Sequence, residues 1–213
     1  MACKLCQTRR ARRLCPGVGG EICSICCGTE RENTISCPLD CEYLQQARGR
    51  EQPREIDPES VPNRDIRVTE EFLEKQAALV SAVMHGLVTS ALGLPGVVDL
   101  DVREALDSLT RTYRTRESGL YYESKPPNLL AARIHELMQK GLEEFRKTAA
   151  ERLGVSTIRD SDVLGVLVFL QHLELQLNNG RRRGRAFLDA LRQQIDAGQG
   201  EAGAPPGSSL VLP

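Results

Sequence analysis

The chemistry of this chain is concentrated in its first forty-one residues, which hold all eight cysteines of the 213-residue sequence. A C-x2-C pair can present two thiolates to one metal ion, and tetrahedral Zn²⁺ takes four such ligands at about 2.3 Å. Eight closely spaced cysteines therefore predict two four-thiolate zinc sites. The predicted ligands are Cys3, Cys6, Cys15, Cys23, Cys26, Cys27, Cys37 and Cys41.

Other cysteine chemistry is also compatible with this spacing. An exported protein would form disulfides, but the start of the chain, Met-Ala-Cys-Lys-Leu-Cys, lacks the apolar run of a signal peptide. We therefore expect a cytoplasmic protein, where reducing conditions favour metal ligation. A thiol redox sensor and an iron–sulfur centre are further options, and the adjacent Cys26-Cys27 pair leaves open which of the two is a ligand.

The order of the cysteine groups resembles the cross-brace zinc fingers of the zinc-finger HIT and MYND types. The matching stretches are Cys3-Lys4-Leu5-Cys6, Leu14-Cys15-Pro16 and Cys23-Ser24-Ile25-Cys26-Cys27. The resemblance implies two interleaved zinc sites and a role in protein interaction. It implies one site made by Cys3, Cys6, Cys23 and Cys27, and another made by Cys15, Cys26, Cys37 and Cys41. The sequence departs from the families at Val18, where a ligand is expected, and it lacks their late histidine.

A basic strip made by Arg9, Arg10, Arg12 and Arg13 follows the first cysteine pair and could contact nucleic-acid phosphates. Residues 1–48 hold seven Lys and Arg against five Asp and Glu, a charge of +2, which eight thiolates and two Zn²⁺ would change by −4 to −2. A net-negative module favours a protein partner over nucleic acid.

The residues that follow must position this cysteine module, which spans residues 1–48. Residues 49–68 contain three prolines among many charges and predict a linker. Residues 69–197 carry apolar side chains at helical spacing and predict an all-α bundle of about five helices. Residues 198–213 are rich in Gly, Ala, Pro and Ser, which predicts a disordered tail. We therefore expect a mainly α chain in which a two-zinc module precedes a helical bundle.

Local signals place the helix starts of the bundle. Thr69 is a predicted N-cap, Asp101-x-x-Glu104 resembles a capping box, and Pro126-Pro127 marks the start of a third helix. The fourth helix, beginning near Ser161-Asp162, is apolar nearly all round and is the predicted axis of the bundle.

A second basic cluster, Arg181, Arg182, Arg183 and Arg185, lies at the predicted start of the fifth helix. Positive charge there opposes the helix dipole, so the cluster predicts a bound anion or an acidic partner.

The helical residues contain no glycine-rich phosphate loop, nucleophile elbow or His-Glu-x-x-His. The sequence therefore favours a non-enzymatic zinc protein that binds a protein partner and that could form a homo-dimer. The alternatives are nucleic-acid binding through the two arginine clusters and thiol redox sensing. No segment is apolar enough to predict a membrane span.

Overall fold

The structure, a computed structural model, describes residues 1–51, 55–120, 122–153 and 158–202. Helices dominate these residues, which confirms the prediction of a mainly α chain. The elements in chain order are β1 (Arg13–Cys15), β2 (Gly20–Ile22), α1 (Ser24–Glu30), α2 (Glu42–Arg48), a single-turn 3-10 helix (Pro58–Ser60), α3 (Glu70–Lys75), α4 (Ala77–Leu92), α5 (Asp99–Glu117), α6 (Leu129–Leu153), α7 (Asp160–Leu177) and α8 (Ala186–Ala202).

Helix α7 lies in the centre of the bundle, as its all-round apolar sequence predicts. It packs against α4, α5 and α8, while α6 packs on α4 and α5. The core is aliphatic because the chain has no tryptophan and only 4% aromatic residues. Gly165 on α7 is buried, and a β-carbon there would lie 2.6 Å from Cζ of Phe72. The absence of a side chain at this position therefore lets α3 pack on the central helix.

The first predicted helix of the bundle is divided into α3 and α4 at Gln76, whose φ and ψ of −101° and 18° interrupt the helix. Thr69 caps α3 as predicted, because its side chain accepts a hydrogen bond from the amide of Phe72. The bundle consequently has six helices in the described residues, of which α3 is a short one.

Helix α5 begins two residues earlier than its predicted capping box. Asp101 occupies the third helical position rather than the cap, and its carboxylate accepts a hydrogen bond of 2.9 Å from the amide of Val98. Helix α6 starts after the two prolines as predicted, and Asn128 caps it by accepting hydrogen bonds from the amides of Leu130 and Ala131.

Helix α8 starts at a buried carboxylate that α5 supplies. Asp99 accepts hydrogen bonds from the amides of Phe187 at 3.0 Å and Leu188 at 3.2 Å. Burial raises the pKa of Asp99 to about 7, although these two amides favour its ionised form. The helix continues to Ala202, five residues beyond the predicted end, and residues 203–213 of the predicted tail lie outside the described residues.

Part of the predicted linker is packed on the bundle. Asn63 donates a hydrogen bond to Gln171 on α7, and its side-chain oxygen accepts one from Arg114 on α5. The side chains of Ile66 and Val68 contact the main core. No helix in the described residues has the length and hydropathy needed to cross a membrane.

Candidate metal centre

The first two cysteine pairs are brought together by the β1–β2 hairpin and the start of α1. The amide of Lys4 donates to the carbonyl of Glu21 on β2 at 3.0 Å, which holds the Cys3–Cys6 turn beside the hairpin. Cys23 is the N-cap of α1, and its sulfur accepts a hydrogen bond from the amide of Cys26. The amide of Cys23 in turn donates to the sulfur of Cys3 at 3.2 Å.

Four sulfur atoms meet where these two turns face each other. The Sγ atoms of Cys3, Cys6, Cys23 and Cys26 all lie within 4.8 Å of one another, and no disulfide joins them. A tetrahedral ion with Zn–S distances of about 2.3 Å places its sulfurs about 3.8 Å apart. The described set therefore has the donor count and the proximity that a four-thiolate metal site requires.

This grouping differs from the ligand set implied by the zinc-finger resemblance, which places Cys27 in the site of Cys3. Successive residues of an α-helix differ in direction by about 100°, so adjacent cysteines at the start of α1 face different sides. Cys26 faces the first cluster, whereas Cys27 borders a separate small cavity. The structure therefore groups Cys26, rather than Cys27, with Cys3, Cys6 and Cys23.

The other four cysteines border that second cavity, beneath β1 and the start of α2. Burial raises the pKa of the Cys37 thiol, and the nearby charges of Glu32, Cys15 and Cys41 add to the effect. Within the described residues only the first set has all its sulfurs within 4.8 Å. The second group is Cys15, Cys27, Cys37 and Cys41.

The thiols of the first cluster differ in their acidity. The Thr8 hydroxyl and the amides of Arg9 and Thr8 donate hydrogen bonds that lower the pKa of Cys6 to about 5. The hydrogen bond between Cys26 and Cys23, together with burial, raises the pKa of Cys26 to about 12. A metal ion bound here would therefore displace a proton held by Cys26.

The cysteine module is held against the bundle by Glu32, a residue that is 1% exposed. Its carboxylate accepts hydrogen bonds from Arg48 at 2.6 Å, from Asn179 at 2.9 Å and from the amide of Arg185 at 3.0 Å. Glu32 has a φ of 53°, a left-handed conformation that non-glycine residues rarely adopt. Contacts with the loop before α8 therefore hold this residue in place.

A second buried carboxylate extends the same interface. Asp189 on α8 accepts hydrogen bonds from Arg48 and from Gln45 on α2. Burial opposes ionisation of Asp189, but hydrogen bonds from Gln45 and Arg192 and the charge of Arg48 together lower its pKa. Helix α2, which begins directly after Cys41, thus carries two side chains that bind the bundle.

Two side chains of the second arginine cluster bind inside the molecule. Arg181 donates to the carbonyl of Arg31 at 2.7 Å, and Arg185 donates to the carbonyl of Cys37. The amide of Arg183 donates to the carbonyl of Glu32. The guanidinium groups of Arg181 and Arg185 therefore have acceptors in the cysteine module, whereas the side chains of Arg182 and Arg183 are exposed.

The first basic strip faces solvent for most of its length. Arg9, Arg10 and Arg12 are exposed, whereas the Arg13 guanidinium lies 4.6 Å from the ring centre of Tyr43. A hydrogen bond to the Cys23 sulfur, together with negative charge at Cys6, raises the pKa of Arg9.

The residues that join the module to the bundle carry no local sequence signal. Glu32 and Asn179 are 147 positions apart, and a single glutamate in a polar loop is typical of solvent-exposed residues. Its burial depends on the tertiary structure alone. None of the three histidines of the chain contributes a ligand to the cysteine cluster. Comparisons with family models, with curated proteins and with solved structures yield no match for the chain.

Proposed function

We propose that this chain is a non-enzymatic zinc protein in which two four-cysteine sites fold a small module that binds other proteins and that is attached to a helical bundle. The observation that carries the proposal is the set of four free sulfurs within 4.8 Å of one another, contributed by two C-x2-C turns. Four-thiolate sites without an open position are characteristic of structural zinc, since catalytic zinc keeps a position for water or substrate.

The small core of the module supports a structural role for the metal. Apart from cysteine, its buried apolar side chains are Ile22, Ile35 and Leu44. A core of this size cannot stabilise about fifty residues without staples such as metal ions. Zinc bound to the four sulfurs would supply folding free energy that the apolar contacts do not.

The second zinc site is proposed for the remaining thiols, Cys15, Cys27, Cys37 and Cys41. Two observations support it. All four cysteines border one cavity, and the charges of Cys15 and Cys41 contribute to the raised pKa of Cys37. Occupation would draw these sulfurs to the spacing of about 3.8 Å that a tetrahedral ion imposes. The free thiols of both groups suit a reducing compartment, so we place the protein in the cytoplasm.

Exposed aliphatic side chains on the cysteine module support a role in protein binding. Leu5 and Ile25 occupy the same position in their C-x2-C turns and are 40% and 52% exposed. Leu14 on the hairpin is 68% exposed. Large apolar side chains held at the surface by a rigid metal site are typical of protein-interaction modules.

Metal analysis combined with native mass spectrometry tests the proposal. The purified chain is expected to carry two zinc ions, and a chelator is expected to unfold residues 1–48 while the helical signal of the bundle persists. Binding of a single ion would contradict the second site, and a module that stays folded without metal would contradict the proposal.

Nucleic-acid binding is the second candidate, because the side chains of Arg9, Arg10 and Arg12 face solvent beside the first cluster. A filter-binding series against salt distinguishes it, since neutralised phosphates make affinity fall steeply with salt. The redox-sensor alternative predicts zinc release at mild peroxide doses, and retention of both ions would argue against it.

A further inference from the structure

An apolar groove of about 910 Å³ lies between α4, α6 and the end of α8. Its walls include large apolar side chains, among them Met84, Leu142 and Phe145. None of the residues that line it is acidic or basic, apart from His85. Unlike the surface around it, this groove therefore offers apolar contact without the cost of burying charge.

Glycine at position 141 leaves part of this groove empty. Gly141 is an exposed residue in the middle of α6, and a β-carbon there would meet nothing within 4 Å. Among ordinary residues glycine is a poor helix former, so its presence is not explained by the stability of α6. No contact within the described residues requires glycine at position 141, and the open space beside it is part of the groove.

The last turns of α8 border this groove. Gln194, Ile195 and Gly198 form one of its walls, and the described chain ends four residues later at Ala202. Residues 203–213 contain no charged residue and include the apolar run Leu210-Val211-Leu212. The seven residues between Ala202 and Leu210 can span about 23–25 Å when extended. The α4 wall from Ala77 to Gly86 is about 14 Å long, which is shorter than this span.

We propose that Leu210, Val211 and Leu212 bind in this groove of the same molecule and cover its apolar walls. The apolar composition of the run matches the uncharged lining, and the space at Gly141 admits a side chain that a larger residue would exclude. The proposal is independent of zinc, because no cysteine borders the groove.

The absence of tryptophan from the chain provides a direct test. Val211→Trp introduces a single tryptophan in the apolar run, and Ala204→Trp is the matched control outside it. The emission of Val211→Trp is expected at shorter wavelength than that of the control, with acrylamide quenching reduced several-fold. Adding Gly141→Leu, which has room to fold, is expected to fill the groove and restore the wavelength and quenching of the control.

The same measurements identify a different occupant. Equal emission and quenching in the two tryptophan variants would overturn the proposal. So would a shift that depends on protein concentration together with a doubled mass in light scattering, since a second copy would then supply the run. Persistence of the shift after Gly141→Leu, with an unchanged circular dichroism spectrum, would also overturn it because the tryptophan would then be buried elsewhere.

Discussion

The carboxylate of Glu32 accepts a hydrogen bond of 2.9 Å from the side-chain amide of Asn179, which joins the cysteine module to the loop before α8. The other oxygen of the carboxylate accepts from Arg48, whose second nitrogen contacts Asp189 on α8. Module and bundle are therefore connected by buried charged groups that satisfy one another. A buried ion pair of this kind contributes mainly through the cost of breaking it.

Replacement of Glu32 is expected to show this cost. Glu32→Gln preserves the volume of the side chain but leaves the guanidinium of Arg48, whose side chain is 12% exposed, with one negative partner fewer. Removing one partner of a buried pair costs about 3–5 kcal/mol. We expect the free energy of unfolding of the zinc-loaded protein to fall by about 2–4 kcal/mol in urea denaturation, the lower bound reflecting the hydrogen bonds that glutamine retains.

Glu21→Gln is the matched control, since Glu21 is an exposed carboxylate of the same module. It is expected to change the free energy of unfolding by less than about 0.5 kcal/mol. If both variants were equally stable, the contacts of Glu32 would not be what holds the module on the bundle.

The pairing of the cysteines can be read from zinc content in double variants. Cys6→Ser alone is expected to leave one zinc ion, at the second site. Cys6→Ser with Cys26→Ser removes two ligands of one site and is expected to keep that ion. Cys6→Ser with Cys27→Ser disrupts both sites and is expected to bind none.

Native mass spectrometry of the three variants gives the ion count directly. The ligand sets implied by the zinc-finger resemblance predict the opposite order for the two double variants. An ion retained with Cys27→Ser and lost with Cys26→Ser would therefore show that the sulfur grouping seen here is incorrect.

The sequence predicts most of the helical elements because their signals are local. Apolar periodicity locates α5 to α7, and the Thr69 cap and the proline pair before Asn128 mark helix starts to within a few residues. The division at Gln76 is not predicted, since the apolar residues on both sides keep the same spacing. Local patterns thus give the presence of a helix more reliably than its continuity.

The cysteine spacing predicts a metal site but not which cysteines share it. That choice depends on where α1 begins, because one residue of difference turns a side chain by about 100°. The attachment of the module depends on Arg181 and Arg185 meeting Arg31 and Cys37, about 150 positions earlier in the chain. Nothing in either segment encodes that contact, so the sequence alone predicts an external anion for these arginines.

The buried carboxylate of Asp99 is expected to make stability depend on pH. Its pKa is about 7 in the folded protein, above the value of 3.8 for an unburied aspartate. Between pH 3.8 and pH 7, Asp99 therefore holds a proton in the folded state that it has lost in the unfolded state. The free energy of unfolding consequently falls as pH rises through this range and is constant above it. The slope cannot exceed about 1.4 kcal/mol per pH unit for one proton.

Urea denaturation of the zinc-loaded protein between pH 5 and pH 7 measures the contribution of Asp99 to the pH dependence of stability. Asp65 and Asp189, whose pKa values are lowered, titrate below this window. His135 contributes a slope of the opposite sign because burial lowers its pKa. The difference between the original chain and Asp99→Asn removes the histidine contribution. That difference is expected to decrease as pH rises to 7, and a constant difference would mean that Asp99 is ionised throughout.

Two glycines, on the consecutive helices α6 and α7, are expected to respond oppositely to replacement by alanine. At Gly165 a β-carbon would lie 2.6 Å from the Phe72 ring, so Gly165→Ala forces α3 away from α7. We expect the free energy of unfolding to fall by about 1–3 kcal/mol, as for other overpacked cores. At Gly141 the added carbon meets nothing within 4 Å, and the better helix propensity of alanine is expected to raise stability by about 0.5–1 kcal/mol.

The test is whether the two changes in the free energy of unfolding have opposite signs, because both variants add the same methyl group to a helix. Urea denaturation of each variant beside the original chain measures them. Phe72→Leu combined with Gly165→Ala is expected to recover part of the loss, since the smaller side chain makes room for the methyl group and the two positions are coupled. Equal losses with and without Phe72→Leu would place the strain elsewhere on α7. The packing of α3 on α7 would then not depend on glycine at position 165.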